Sequence, residues 1–307
     1  MICRRLNLAY GKRGSRKTLL YEPYLSRCQS AKRESAPTAF VRKLERLMYK
    51  MLIVVATYNR PYITELSLAM LREVMGSDDR LIAYDDCSTA YDKKWLLRFA
   101  DEVVRMPAHG GIEPLRARNF KDFVQVFREF DLLYTTDNDA IHDPVFSRRL
   151  RGLYGRYAPN GVRLPVCLYN SSFHNQPENI LSRNAEVSFR RTAPGISHMY
   201  DQEMVQLIVD GLSMNPELET MYDYDFNLPR FLRRPFIQSE VSLVEHFARD
   251  RYEGGMHSEN SGVEKETVAA DFERDRALNP SHYLELIRPV VIDYILEGTP
   301  ETAALAA

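Results

Sequence analysis

From residue 51 onward, apolar and polar positions fall into a repeating order. Leu52-Ile53-Val54-Val55-Ala56 is an unbroken, β-branched apolar run, the pattern of a strand buried on both faces of a parallel sheet. After Asn59-Arg60-Pro61, apolar residues recur at Ile63, Leu66, Met70, Leu71 and Val74, one face of a helix. Asn59 is expected as its N-cap, with Pro61 in its first turn. Gly76-Ser77-Asp78-Asp79 breaks the helix, and Leu81-Ile82-Ala83-Tyr84 reads as the next strand. The two strands lie about thirty residues apart, the length of one βαβ unit. A helix is expected over 93–100, where Trp95, the only tryptophan, reads as a core anchor. Glu102-Val103-Val104-Arg105-Met106 predicts a third strand. Leu115, Phe120, Phe123, Val124, Phe127 and Phe130 form one stripe of an amphipathic helix over 115–130, and Leu132 to Thr135 is the strand that follows.

Strand and helix therefore alternate through residue 155, which predicts an α/β fold with a doubly wound, mostly parallel, Rossmann-like sheet. The second half is less regular. Residues 162–168 and 186–189 read as strands, 201–209 as a helix, and 249–262 as a glycine-containing loop before a charged helical tail. The expected organisation is an extension over 1–50, a main domain over 51–260 and a C-terminal tail over 261–307. There is no repeat and no low-complexity tract.

Composition narrows the class. The apolar share of 45% and charged share of 27% are those of an ordinary globular protein. The net charge of -1 is unevenly spread: residues 1–50 hold thirteen Lys/Arg against three Glu, so the body is acidic. That leader suits contact with an anionic surface or an organelle-targeting segment, or the true start lies at Met48 or Met51. Under each reading we expect a poorly ordered, non-catalytic extension. The acidic body offers no continuous basic face for nucleic acid. Cys3, Cys28, Cys87 and Cys167 form no Cys-x-x-Cys pair, which argues against a disulfide framework and for a reducing compartment. No run reaches the roughly eighteen apolar residues of a membrane span, and no apolar signal segment opens the chain. A soluble, cytoplasmic protein is expected.

Candidate chemistry sits where the strands end, the usual ligand side of such a sheet. Three polar clusters lie there: Thr57-Tyr58-Asn59-Arg60, Asp85-Asp86-Cys87-Ser88 and Asp137-Asn138-Asp139. Along a strand, residues i and i+2 point the same way, so Asp137 and Asp139 converge. Paired carboxylates suit a hard divalent cation carrying phosphate oxygens; a capped turn before Pro144 is the plainer alternative.

In that order, Val55-Ala56-Thr57-Tyr58-Asn59-Arg60-Pro61, Tyr84-Asp85-Asp86-Cys87-Ser88-Thr89, Ala117-Arg118-Asn119, Thr136-Asp137-Asn138-Asp139 and Tyr222-Asp223-Tyr224-Asp225 resemble the motifs of glycosyltransferase family 2, over residues 51–250. The resemblance implies a GT-A fold with a nucleotide-binding half over 51–155 and an acceptor half over 156–260. It implies an inverting transfer from a UDP-linked nucleotide-sugar, with Mn2+ or Mg2+ as cofactor. The acceptor is left open among glycan, lipid-linked, protein and other hydroxyls.

Carried over by position, Asp139 binds the metal and Asp137 the ribose or the metal. Thr57, Tyr58, Asn59, Arg60, Asp85, Asp86 and Arg118 contact the nucleotide. Asp223 is the catalytic base with Asp225 in reserve, and His246 or His257 is a further metal ligand. Tyr58 is alternatively a core residue, either of Asp85 and Asp86 a turn former, and Arg118 a salt-bridged surface residue.

Two departures stand out. Tyr222 replaces the family's usual Glu, and Gly195-Ile196-Ser197-His198-Met199-Tyr200-Asp201 replaces its Gly-Gly-Phe-Asp. The Gln-x-x-Arg-Trp motif of processive synthases is absent, which favours single addition. A catalytically silent nucleotide-sugar binder is the main alternative. A sugar nucleotidyltransferase is less favoured, because residues 57–61 lack the glycine-rich loop it needs.

Overall fold

A computed structural model describes residues 49–158, 161–219, 228, 231–247 and 274–298, with side chains of the last helix described through residue 292. The basic leader, the 249–262 loop and the last residues of the tail lie outside the described residues.

The first half builds four parallel strands. β1 (Met51–Thr57) is buried at all seven positions, because β2 (Arg80–Asp85) pairs on one side and β4 (Leu132–Asp137) on the other, both parallel. β3 (Glu102–Arg105) adds the edge next to β2. Three helices connect them: α1 (Pro61–Val74), the one-turn α2 (Lys93–Leu96) and α3 (Ile112–Gln125). α1 buries Ile63, Leu68 and Leu71, and α3 buries Leu115, Phe120 and Phe123. The chain order thus reverses between β1 and β4, giving an open crevice at their carboxyl ends.

The second half is mixed, in the overall order β3-β2-β1-β4-β9-β6-β10-β8-β7. β9 (Ser197–Asp201) runs antiparallel between β4 and β6 (Val166–Cys167). β10 (Phe236–Ser239) is parallel to β6, and β8 (Val187–Arg190) and β7 (Ile180–Arg183) close the far edge as antiparallel neighbours. α4 (Phe146–Arg156) and α5 (Gln202–Met214) cover this half. A separate antiparallel pair joins β5 (Ala140–His142) to β11 (Val244–His246). The C-terminal helix α6 (His282–Gly298) packs Leu284 and Val291 with Ile63, Ile141 and Phe247 in a small second core. Among the described residues, no helix is long and apolar enough to cross a membrane.

Several expectations need correction. Asn59 does not cap α1: Arg60 holds that position with left-handed φ 56°, and no side chain caps the helix. The helix over 93–100 stops at Leu96, where shorter-range bonds from Arg98 and Phe99 to Trp95 and Leu96 tighten the chain into turns. Trp95 is only partly buried and stacks on Tyr91, with ring centroids 4.7 Å apart. α3 ends five residues early, at Gln125, yet Phe127 and Phe130 still turn into the core. The strand over 162–168 shrinks to two residues because Pro165 has no amide to donate; its carbonyl instead accepts from Ile237 N.

Candidate functional site

The three strand-end clusters are held together by their own side chains. At the end of β1, Asn59 and Arg60 both adopt left-handed backbone, φ 47° and 56°, which is uncommon for arginine. This reversal lets Asn59 Oδ1 accept from Thr89 N at 2.9 Å and Ala90 N at 3.1 Å, binding the first loop to the second. Thr57 Oγ1 lies 3.4 Å from Asp85 Oδ1.

Asp85 is fully buried, and Ser88 donates to its Oδ1 while Arg105 Nη1 sits 2.9 Å from Oδ2. Burial pushes its carboxyl upward, against the pull of Ser88 and Arg105. Asp85 therefore faces into the protein and braces the loop. Asp86 faces the other way: it accepts from Gly110 N at 2.9 Å and Gly111 N at 2.8 Å, with His109 Nδ1 2.7 Å away. His109 in turn stacks on Tyr58, centroids 4.0 Å apart and planes 11° from parallel. The His109-Gly110-Gly111 clasp was not among the expected site residues. A glycine pair between a strand and a helix was the available signal, and Gly111 does need it, since φ is 88°.

At the end of β4 the acidic pair meets a third group. Asp139 O accepts from Phe247 N at 2.8 Å, and the β5–β11 register sets His246 opposite Ala140. That brings His246 Nε2 to 3.3 Å from Asp139 Oδ1. One ligand atom each from Asp137, Asp139 and His246 lies within 4.8 Å of the others.

Two arginines complete the cluster. Arg60 donates from Nη1 to Asp139 Oδ2 at 2.6 Å and from Nη2 to Asn138 Oδ1 at 3.0 Å. Arg116 Nη2 donates to Asp137 Oδ1 at 2.9 Å. Burial alone drives the Asp139 carboxyl upward, but Arg60 and His246 outweigh it and hold the group below the usual carboxylate range. Asp137 is pushed up by burial, opposed by Arg116 and reinforced by the Asp139 charge. Asn138 Nδ2 donates to Thr64 Oγ1 at 2.6 Å, pinning the turn to α1.

Arg118 does not reach this cluster. Its side chain is 56% exposed and pairs with Asp122 one turn along α3 at 2.8 Å. Arg116, 5% exposed, is the arginine of α3 that pairs with Asp137. Helical spacing contained that signal, because Arg116 precedes buried Asn119, Phe120 and Phe123 by three, four and seven residues. Asp223, Asp225 and His257 lie outside the described residues.

Two carboxylates and an imidazole form an O/O/N donor set suited to a small divalent ion such as Mn2+. Ligands on such an ion at roughly 2.1 Å sit roughly 3 Å apart when adjacent and roughly 4.2 Å when opposite, so the observed spread needs only small side-chain movements. Asp139 Oδ1 supports the fit: it is buried with no aligned hydrogen-bond donor. The residues present fit the ion.

The mixed sheet, with its order reversing between β1 and β4, has the GT-A fold. Among solved structures, the chain is similar to that of GalNAc-T7 with UDP, GalNAc and Mn2+, at TM-score 0.50 and 10% identity. The match covers 65% of this chain and 44% of that one, so the chain spans less than half of that protein's length. The structure of S. aureus TarS residues 1–349 in complex with UDP-GlcNAc aligns at TM-score 0.47 and 15% identity, over 83% of this chain and 69% of that one. No family model and no curated protein matches the chain.

Proposed function

We propose that this protein is a family 2-type glycosyltransferase, moving one sugar from a UDP-sugar to an acceptor hydroxyl with inversion and divalent-metal dependence. The observation that carries the reading is the meeting of Asp137, Asp139 and His246 at the crevice where the sheet order reverses. A nucleoside diphosphate leaves readily only when its charge is neutralised as the glycosidic bond breaks. Asp137, Asp139 and His246 would hold Mn2+ or Mg2+, which when bound supplies Lewis-acid stabilisation of the diphosphate.

The chain's own residues do the rest. Thr57, Tyr58 and Asp86 line the nucleoside side, with His109 and Gly110-Gly111 holding Asp86 in place. Asn59 fixes the spacing between the two nucleotide loops, and Asp85 braces them from below. Arg116 adds positive charge beside Asp137. Asp223, or Asp225 in its place, takes the proton from the acceptor hydroxyl, a role that rests on the family resemblance. His257 is the alternative metal histidine on the same ground. The absence of a membrane-crossing helix among the described residues is compatible with work in the cytoplasm. A catalytically silent nucleotide-sugar binder is the second reading, favoured by Tyr222 in place of the family's Glu.

A panel of UDP-sugars with Mn2+ or Mg2+, scored by thermal shift and by UDP release, tests both. A metal-dependent shift with UDP release supports the transferase. A shift with neither transfer nor slow hydrolysis across many acceptors favours the silent binder. No nucleotide binding with metal present sinks both.

A further inference from the structure

Arg60 and a metal ion claim the same carboxylate. Arg60 is held on Asp139 by two successive left-handed residues and by Pro61, whose ring restricts the first helical turn. Its guanidinium forks across Asp139 Oδ2 and Asn138 Oδ1, and its side chain is only 16% exposed. Asn138 is itself anchored to Thr64. Strained backbone of this kind persists when the surroundings over-determine it, and it clusters where function needs a side chain in one place.

Charge makes the arrangement consequential. Asp137 and Asp139 are matched by Arg116 and Arg60, each within 2.9 Å. A divalent cation arriving alone therefore meets carboxylates already neutralised by guanidinium groups. A nucleoside diphosphate brings the anionic charge that the combined cations require, and its phosphate oxygens offer Arg60 a second forked acceptor.

Resting on the transferase reading above, we propose that Arg60 is a resident counter-cation that couples metal binding to nucleotide binding. Metal alone binds weakly; metal and nucleoside diphosphate bind together, with Arg60 exchanging Asp139 for the diphosphate. By linkage, each ligand must tighten the other by the same factor.

The test is an electron-paramagnetic-resonance titration of free Mn2+ with the full-length protein, with and without UDP, for wild type, Arg60→Met and Arg60→Lys. In wild type, UDP tightens Mn2+ at least tenfold. Arg60→Met binds Mn2+ alone about tenfold more tightly than wild type, and the UDP effect shrinks accordingly. Arg60→Lys keeps the charge and stays near wild type. Unchanged or weaker nucleotide-free Mn2+ binding in a folded Arg60→Met protein overturns the proposal while leaving the transferase reading intact. If Arg60→Met does not fold by circular dichroism, wild type decides: Mn2+ affinity indifferent to UDP overturns it. Failure of wild type to bind Mn2+ in either condition removes the transferase reading, and this inference with it.

Discussion

Arg116 and Arg118 show how finely the site depends on single residues. Two positions apart on one helix, they face in different directions: one is buried against Asp137, the other is half-exposed beside Asp122. An exposed i,i+4 pair is worth only about 0.3–0.5 kcal/mol, so Arg118→Ala is expected to change UDP affinity less than twofold. Arg116→Ala removes a positive charge available to the anionic diphosphate and is expected to weaken UDP binding in the presence of Mn2+ about tenfold or more, as charge-assisted bonds are the stronger kind. Calorimetric titration of both variants distinguishes the two assignments.

His142 is a second residue with a measurable signature. It is fully buried, its Nδ1 has no hydrogen-bond partner among the described residues, and burial lowers its pKa from 6.5 to about 3. Between those values the unfolded chain binds a proton that the folded chain does not. Stability from this group is therefore present above 6.5 and falls with decreasing pH by about 1.4 kcal/mol per unit. Urea unfolding at pH 7 and pH 5 is expected to show this loss, and His142→Gln is expected to flatten the dependence.

At the scale of elements, legibility followed the range of the determining contacts. β1, β2, β4 and α1 were readable because burial on both faces of a strand, or on one face of a helix, writes its own period into the chain. β5 and β9 were not, for they are three and five residues long and exist through partners distant in sequence. β9 occupies most of the stretch that departs from the family's Gly-Gly-Phe-Asp and runs antiparallel between β4 and β6. The acidic pair and its loops were legible for the same local reason as β4. The pairing of His246 with Asp139 could only be suggested by resemblance, since it depends on the β5–β11 register. The end of β9 also starts α5: Asp201 Oδ1 accepts from Met204 N at 2.8 Å, and its Oδ2 accepts from the Tyr154 hydroxyl at 2.8 Å. Losing a cap and a second bond predicts a cost of about 1–2 kcal/mol for Asp201→Ala in urea unfolding. Asp201 pairs with Leu132, at the opposite end of β4 from Asp137, so Mn2+·UDP affinity is expected to be unchanged.

Across the whole molecule, the site relies on a helix far along the chain. β11 is three residues long and has one partner strand, a pairing too small to hold itself. What fixes it is Glu245, 4% exposed, which takes two bonds of 2.8 Å from Arg288 on α6 and lies 2.7 Å from Arg276. Ile141, within β5, and Phe247, just after β11, share the second core with Leu284 and Val291 of that helix. His246, next to Glu245, is therefore positioned from residue 288 as much as from Asp139. Breaking a buried, forked ion pair by removing one partner is strongly destabilising locally. Arg288→Ala is expected to loosen β11 and weaken Mn2+·UDP binding several-fold, although Arg288 contributes no ligand atom. Arg288→Lys, which keeps charge but loses the fork, is expected to fall between it and wild type. The comparison with Asp201→Ala is decisive: that change lowers global stability and spares the site, whereas Arg288→Ala must lower affinity out of proportion to any loss of stability. Equal Mn2+·UDP affinity in Arg288→Ala and wild type would show that β11 holds His246 without the C-terminal helix.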